Sequence, residues 1–170
     1  MLGKVSWYFP IMKPKASLDR VQELLEYEPA TGIFTWKIAR GCRAAGAMAG
    51  SPNNEGYISI KIDKTLYKAS HLAFLLMMSR WPNDEMDHRD LDKANNRWGN
   101  LREATRSLNC ANKRPTMPFK GTFPNGRGWG AKIKVRQVPR HLGTFDTREE
   151  AAAAYALAAR EAFGEFANIG

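Results

Sequence analysis

Asp87 and His88 stand side by side in MDHRDLDKANNRWGNLREATRSLNCANKR, residues 86–114, a stretch that also holds five asparagines. These side chains can hold a metal ion or take up a proton. A histidine with its ordinary pKa of about 6.5 is largely neutral near pH 7 and can act as a base. Asp87 brings an anionic oxygen, and each asparagine brings a neutral carbonyl oxygen. An isolated Asp-His pair would be read as a surface pair, and the asparagines as loop filler. The spacing of the whole stretch argues for more.

That stretch reads as a strand–loop–strand–helix unit. Met86, Asp87 and His88 end a short strand, and Asn95, Asn96 and Gly99 supply turn residues. Asn100, Leu101 and Arg102 form the returning strand. Thr105 is the N-cap of a helix over 106–113. On that helix Asn109 and Asn112 are three apart and share a side. In such a unit Asp87 and Asn109 meet across the gap between hairpin and helix. Upstream, Ser17 caps a helix in LDRVQELLEY, ended by Pro29 and Gly32, with Leu18, Val21, Leu24 and Leu25 at helical spacing. GIFTWKI reads as a strand, residues 40–56 as a loop, and 57–62 with 65–70 as a hairpin turning at Asp63-Lys64. HLAFLLMMSRW is an apolar helix stopped by Pro82. His71, at its start, either packs beneath the site or touches phosphate.

The net charge of +9 is spread along the chain. Basic exceed acidic side chains by 11 to 8 in residues 1–85, 7 to 4 in 86–115 and 8 to 5 in 116–170. A polyanion running along several modules suits this distribution, and nucleic acid is the common one. Cys42 and Cys110 are the two cysteines; with no C-x-x-C spacing they make no structural zinc site and are expected to be reduced thiols of a cytoplasmic protein. VSWYFPIM is too short to span a bilayer, so no membrane segment is expected. Met12 opens MKPKASLDRVQELL like a natural start, so residues 1–11 read as an upstream extension with no structural role, and residues 1–16 together as a disordered N-terminal extension. RPTMP, 114–118, is a linker.

DHRDLDKANNRWGNLREATRSLNCANKR resembles the HNH nucleases, and within them the ββα-metal homing endonucleases found in phages. The match runs through Asp87-His88, Asn100-Leu101-Arg102 and Asn109, and with SHLAFLLMMSRWP it extends over about 57–114. The resemblance implies hydrolysis of phosphodiester bonds, by nicking or double-strand cutting. It implies His88 as the base, Asn100 as the residue that hydrogen-bonds the loop and holds His88 in orientation, and Asp87 and Asn109 as ligands of Mg²⁺ or another divalent cation such as Mn²⁺. Asn95 and Asn96 remain turn residues on this reading.

After the linker, FKGTFPNGRGWGAKIKVRQVPRHLGTF gives three short strands with Gly-rich turns. Thr147 and Glu150 form a capping box for a long Ala-rich helix ending at Gly164. Gly121, Trp129, Ala131-Lys132-Ile133, LGTFDT and the Ala-rich helix with Tyr155 resemble the Apetala/ethylene-response-factor DNA-binding domain. That resemblance implies a sheet laid in the major groove of double-stranded DNA, with Lys120, Arg127, Trp129, Lys132, Lys134, Arg136 and Arg140 facing it. In KIKVR the basic residues alternate with Ile133 and Val135, so Lys132, Lys134 and Arg136 are expected on one face. His141 is expected at the surface or facing DNA. Lysines stand where plant members carry arginines, which points to phosphate contact rather than base reading.

The expected fold is α+β: a ββα-metal nuclease unit within 17–114, a linker at 115–118, and a three-stranded antiparallel sheet packed on one helix over 119–170. The expected function is a monomeric, host-cytoplasmic, phage-type homing endonuclease. The competing readings are a non-catalytic, sequence-specific DNA-binding regulator with a degenerate nuclease unit, and an RNA-binding protein. The intact Asp87, His88 and Asn109 argue against the regulator. The narrow, deep major groove of A-form RNA argues against RNA.

Overall fold

The computed structural model describes residues 15–39, 41, 43–114 and 119–169. Nearly all of the expected N-terminal extension, Cys42 and the linker 115–118 lie outside the described residues. Helix α1 (Leu18–Leu24) begins as its sequence requires, with the Ser17 hydroxyl accepting from the Arg20 backbone N–H. It ends earlier than expected. Leu25–Glu28 is strand β1, paired antiparallel with β2 (Ile33–Trp36). Pro29 disfavours helical backbone at Glu28. Pairing also sets Leu25 against Trp36 and Tyr27 against Phe34, whose rings lie 4.7 Å apart. These cross-strand contacts outweigh the helical propensity of LEYE.

The 40–56 loop is less irregular than its Gly-rich composition suggested. Met48 bridges to Thr35, and β3 (Ser51–Pro52) edges a sheet with β4 (Ile58–Ile62) and β5 (Thr65–Lys68). Asp63 and Lys64 make the turn between β4 and β5, both with positive φ. Helix α2 (Ala69–Met78) starts two residues before His71 and buries Leu72, Ala73, Phe74 and Leu75. With Val21, Leu24, Trp36, Ile60 and Ile62 these form the larger core.

The central unit follows as the sequence indicated. Strand β6 (Glu85–His88) pairs with β7 (Leu101–Ala104), Asp87 opposite Arg102 and His88 opposite Leu101. Helix α3 (Arg106–Asn112) starts at Thr105, whose hydroxyl accepts from the Leu108 N–H. The β1–β2 hairpin buttresses the loop between β6 and β7. Tyr27 donates its hydroxyl to the Asn96 carbonyl at 2.7 Å, and the Trp98 N–H donates to the Pro29 carbonyl. A side chain at Gly32 would strike the backbone of Asn96 and Arg97, so this contact requires glycine.

Strands β8 (Thr122–Asn125), β9 (Gly128–Val135) and β10 (Val138–Phe145) form an antiparallel sheet in the order β10-β9-β8, covered by α4 (Arg148–Phe163). Both bonds of the Thr147–Glu150 capping box are present. Ile133, Tyr155, Ala159 and Phe163 fill a second core, and α3 contributes Ala111 to it. Gly121 lies against the Tyr155 ring, where a Cβ would sit 2.0 Å away. A 3₁₀ turn, Gly164–Phe166, brings the chain back onto the central unit. Among the described residues no helix is long and apolar enough to cross a membrane.

Candidate active site

The β6–β7 hairpin and α3 bring Asp87 and His88 into one cleft of about 750 Å³. Asp87 is 4% exposed. Arg102 on β7 donates Nε–H to Asp87 Oδ2 at 2.8 Å, and Asn112 Nδ2 lies 3.1 Å from each carboxylate oxygen. Asn112 also donates to the His88 carbonyl at 2.9 Å. A carboxylate offers about four lone-pair directions. Arg102 Nε–H and one Asn112 N–H shared between both oxygens (the other goes to the His88 carbonyl) take up part of this capacity, and Asp87 itself lines the cleft.

The partner expected for Asp87 was Asn109. The structure places Asn112 there instead, and Asn109 donates its amide N–H to Glu85. The two asparagines share a helix side as their spacing required, but Asn112, one turn further along, reaches the buried carboxylate. Asn109 and Glu85 line the same cleft as Asp87. With its N–H given to Glu85, Asn109 has its carbonyl oxygen to offer a cation. Asp87, Asn109 and Glu85 together are hard oxygen donors, the set that suits Mg²⁺ or Mn²⁺ when completed by water and phosphate. Glu85 was missed in the sequence, where it reads as the polar edge of a short strand.

His88 is 4% exposed, and burial pushes its pKa below the ordinary value. It is therefore neutral at pH 7. Its Nε2 lies 3.4 Å from Asn96 Oδ1. Asn96 Nδ2 donates to the Ala94 carbonyl, which orients the amide so that its oxygen meets the imidazole. An amide oxygen only accepts, so Nε2 carries the proton and Nδ1 is the basic nitrogen. The direct contact with the imidazole is therefore made by Asn96, while Asn100 makes the loop hydrogen bonds expected of it. Asn100 holds the loop that follows His88: it donates to Asp90 Oδ1 at 2.9 Å and to the Asn95 carbonyl at 2.8 Å, and accepts from the Asp90 N–H. The reading of Asn96 as a plain turn residue is corrected by its burial at 3% exposure. Asn-Asn is an ordinary turn pair, and nothing local distinguishes the buried member.

Lys68, Lys93, Lys113 and Tyr57 form the rim of the cleft. The Lys68 and Lys93 ammonium groups lie 3.9 and 4.8 Å from the Tyr57 ring centre. His71 lines the cleft, and burial with Lys68 nearby lowers its pKa to about 4. At neutral pH it carries no charge.

The residues expected to face DNA separate into two groups. Cross-strand partners share a sheet face, so the register sorts them. Lys132 and Lys134 are exposed on the face away from α4, together with Phe123, opposite Gly130, and His141, opposite Lys132. The Lys132 ammonium lies 5.0 Å from the Phe123 ring centre, and Phe123 and His141 meet edge to face. Arg127 is exposed in the two-residue turn between β8 and β9. Arg136, expected beside Lys134, sits instead in the β9–β10 turn with positive φ, because the strand ends at Val135.

Three residues depart from the expected face. Trp129 has the parity of Ala131 and Ile133, so it lies on the helix side, where the Arg148 guanidinium covers it at 4.6 Å. Arg140 pairs with Ile133 and shares that side, although it is exposed. Lys120 is half-buried, and its ammonium donates to the carbonyls of Ala111, Lys113 and Asn168. Burial pushes its pKa down. It closes the C-terminal end of α3, where a cation is favoured.

Residues 67–111, from β5 into α3, match the family model described as HNH endonuclease. An uncharacterized HNH endonuclease of Acanthamoeba polyphaga mimivirus is 35% identical over 95 residues, 55% of this chain. The chain spans about half of that relative, 51% of its length. The matched segment contains Glu85, Asp87, His88 and Asn109, which line the cleft, and Asn96 and Arg102, which hold His88 and Asp87. The chain carries an HNH endonuclease domain, a domain of the phosphodiester hydrolases.

Proposed function

We infer that this protein is a metal-dependent DNA endonuclease of the HNH homing type, acting as an intracellular monomer. The observation that carries the reading is a buried His88, its Nε2 3.4 Å from Asn96 Oδ1, in one cleft with the oxygen donors Glu85, Asp87 and Asn109. Asp87 and Asn109, with Glu85 adjacent, would hold a divalent cation, which when bound would supply positive charge at the scissile phosphate. His88 Nδ1 takes a proton from the attacking water. The water oxygen bonds to phosphorus as the bond from phosphorus to the leaving nucleoside oxygen breaks, and that oxygen takes a proton from solvent water. Asn96 keeps the ring in the tautomer this requires, and Asn100 keeps the following loop in place. Lys68, Lys93 and Lys113 attract the phosphates on either side.

The exposed face of the β8–β10 sheet holds the duplex. Lys132 and Lys134 contact phosphates, with Phe123 and His141 between the strands and Arg127 and Arg136 at the turns. The basic, alternating strand and the resemblance to the Apetala/ethylene-response-factor domain support this.

Supercoiled plasmid incubated with Mg²⁺ or Mn²⁺ should convert to open-circle or linear DNA, and EDTA should stop the conversion. Asp87→Asn keeps a partner for Arg102 while removing the charge, and should raise the metal concentration needed for half-maximal cleavage. An identical metal titration would remove Asp87 from the ligands. Tight binding without cleavage of any target plasmid would favour the non-catalytic regulator.

A further inference from the structure

Both groups that hold Asp87 are themselves held by the C-terminal segment after α4. Arg102 is buried, with its side chain 7% exposed. Its Nη1 donates to the Glu165 carbonyl at 3.0 Å, and its guanidinium carbon lies 3.5 Å from the Phe166 ring centre. Asn112 accepts at its backbone carbonyl from Asn168 Nδ2 at 3.0 Å, and the Asn168 N–H donates to the Ala111 carbonyl. The Glu165 carboxylate reaches Arg89, the residue after His88, at 2.6 Å.

We propose that residues 165–168 are positioning residues for the metal-binding carboxylate, acting through Arg102 and Asn112. The proposal rests on the reading of Asp87 as a cation ligand. A guanidinium beside a carboxylate can compete with a cation for its oxygens. It helps only if it is fixed on the side away from the cleft. The Phe166 ring and the Glu165 carbonyl fix Arg102 there, by a cation–π contact and a hydrogen bond. Asn168 fixes the end of α3, from which Asn112 reaches both carboxylate oxygens. Asp87 lines the cleft, whereas Arg102 and Asn112 do not, so the carboxylate is held from outside the cleft it faces. The C-terminal unit is on this view a part of the metal site as well as a DNA-binding module.

The test uses the full chain without DNA and reads Mn²⁺ binding from the electron paramagnetic resonance signal of the free ion. Phe166→Leu keeps apolar volume but removes the ring face. It should weaken Mn²⁺ binding about tenfold, as loss of an outer-shell partner does. Phe166→Tyr should restore it. In an Asp87→Asn background the Phe166→Leu effect should vanish, because the two changes act on one carboxylate. A Phe166→Leu protein with a native circular dichroism spectrum and unchanged Mn²⁺ binding would overturn the proposal. So would an equal loss in the Asp87→Asn background, which would mean general loosening. If Phe166→Leu does not fold, Asn168→Ala is judged by the same criteria. Equal Mn²⁺ binding by wild type and Asp87→Asn would instead overturn the assignment of Asp87 as a ligand, and with it the proposal.

Discussion

His88 and its partners decide the chemistry at the scale of single residues. Asn96 contacts the imidazole and Asn100 contacts the loop, so their alanine variants should fail differently. Asn96→Ala should slow single-turnover cleavage roughly tenfold, part of the 10²–10⁴ that a positioned base supplies. Asn100→Ala removes three hydrogen bonds at about 1 kcal/mol each. It should chiefly lower thermal stability, with a smaller effect on rate. The reverse ordering in melts and rates would exchange their roles. His71 gives a pH prediction. Its folded pKa, about 4, lies below the ordinary value of 6.5. Burial of the neutral ring therefore contributes stability that is fully present above pH 6.5. That contribution is lost as pH falls from 6.5 toward 4, because the unfolded chain takes up the proton first. His71→Leu should make stability from urea denaturation less dependent on pH in that window. An unchanged slope would show that His71 is not held neutral by the fold.

The elements explain why some of these residues were legible in the sequence and others were not. The Thr105 cap and the Asn-Gly-rich turn announce the β6–β7–α3 unit, and Asp87 and His88 fall where a strand must end. Which asparagine reaches which partner depends on the rotation of α3 against the hairpin, and spacing alone gives only a shared side. Asn109 and Asn112 were therefore interchangeable in sequence and distinct in structure. Arg102 reads as a strand residue of the Asn-Leu-Arg motif, and its tie to Asp87 needs the register. In β9 the alternation of KIKVR correctly exposes Lys132 and Lys134. The same parity, counted two residues back from Ala131, turns Trp129 toward α4. Lys120 was unreadable, since its partners come from α3 and the chain end. At this scale, Lys132→Ala combined with Lys134→Ala should weaken DNA binding at every sequence and reduce the slope of log affinity against log salt by about 2. An unchanged slope would contradict the assigned face.

Across the whole molecule, three bodies of structure converge on one carboxylate and one imidazole. The β1–β2 hairpin supports the loop that carries Asn96, through Tyr27, Pro29 and Gly32. The β4–β5 hairpin and α2 supply the cleft wall with Tyr57, Lys68 and His71. The C-terminal unit reaches Arg102 and Asn112. The division at residues 115–118 separates two sequence patterns, yet Ala111 and Lys120 each pack across it. The most direct test of the nuclease reading is the single-turnover rate of Mg²⁺-dependent plasmid cleavage by wild type and His88→Ala, purified identically. A loss on the order of 10²–10⁴, the contribution of a positioned general base, is the expected result. Cleavage by His88→Ala at the wild-type rate would contradict it and require another base.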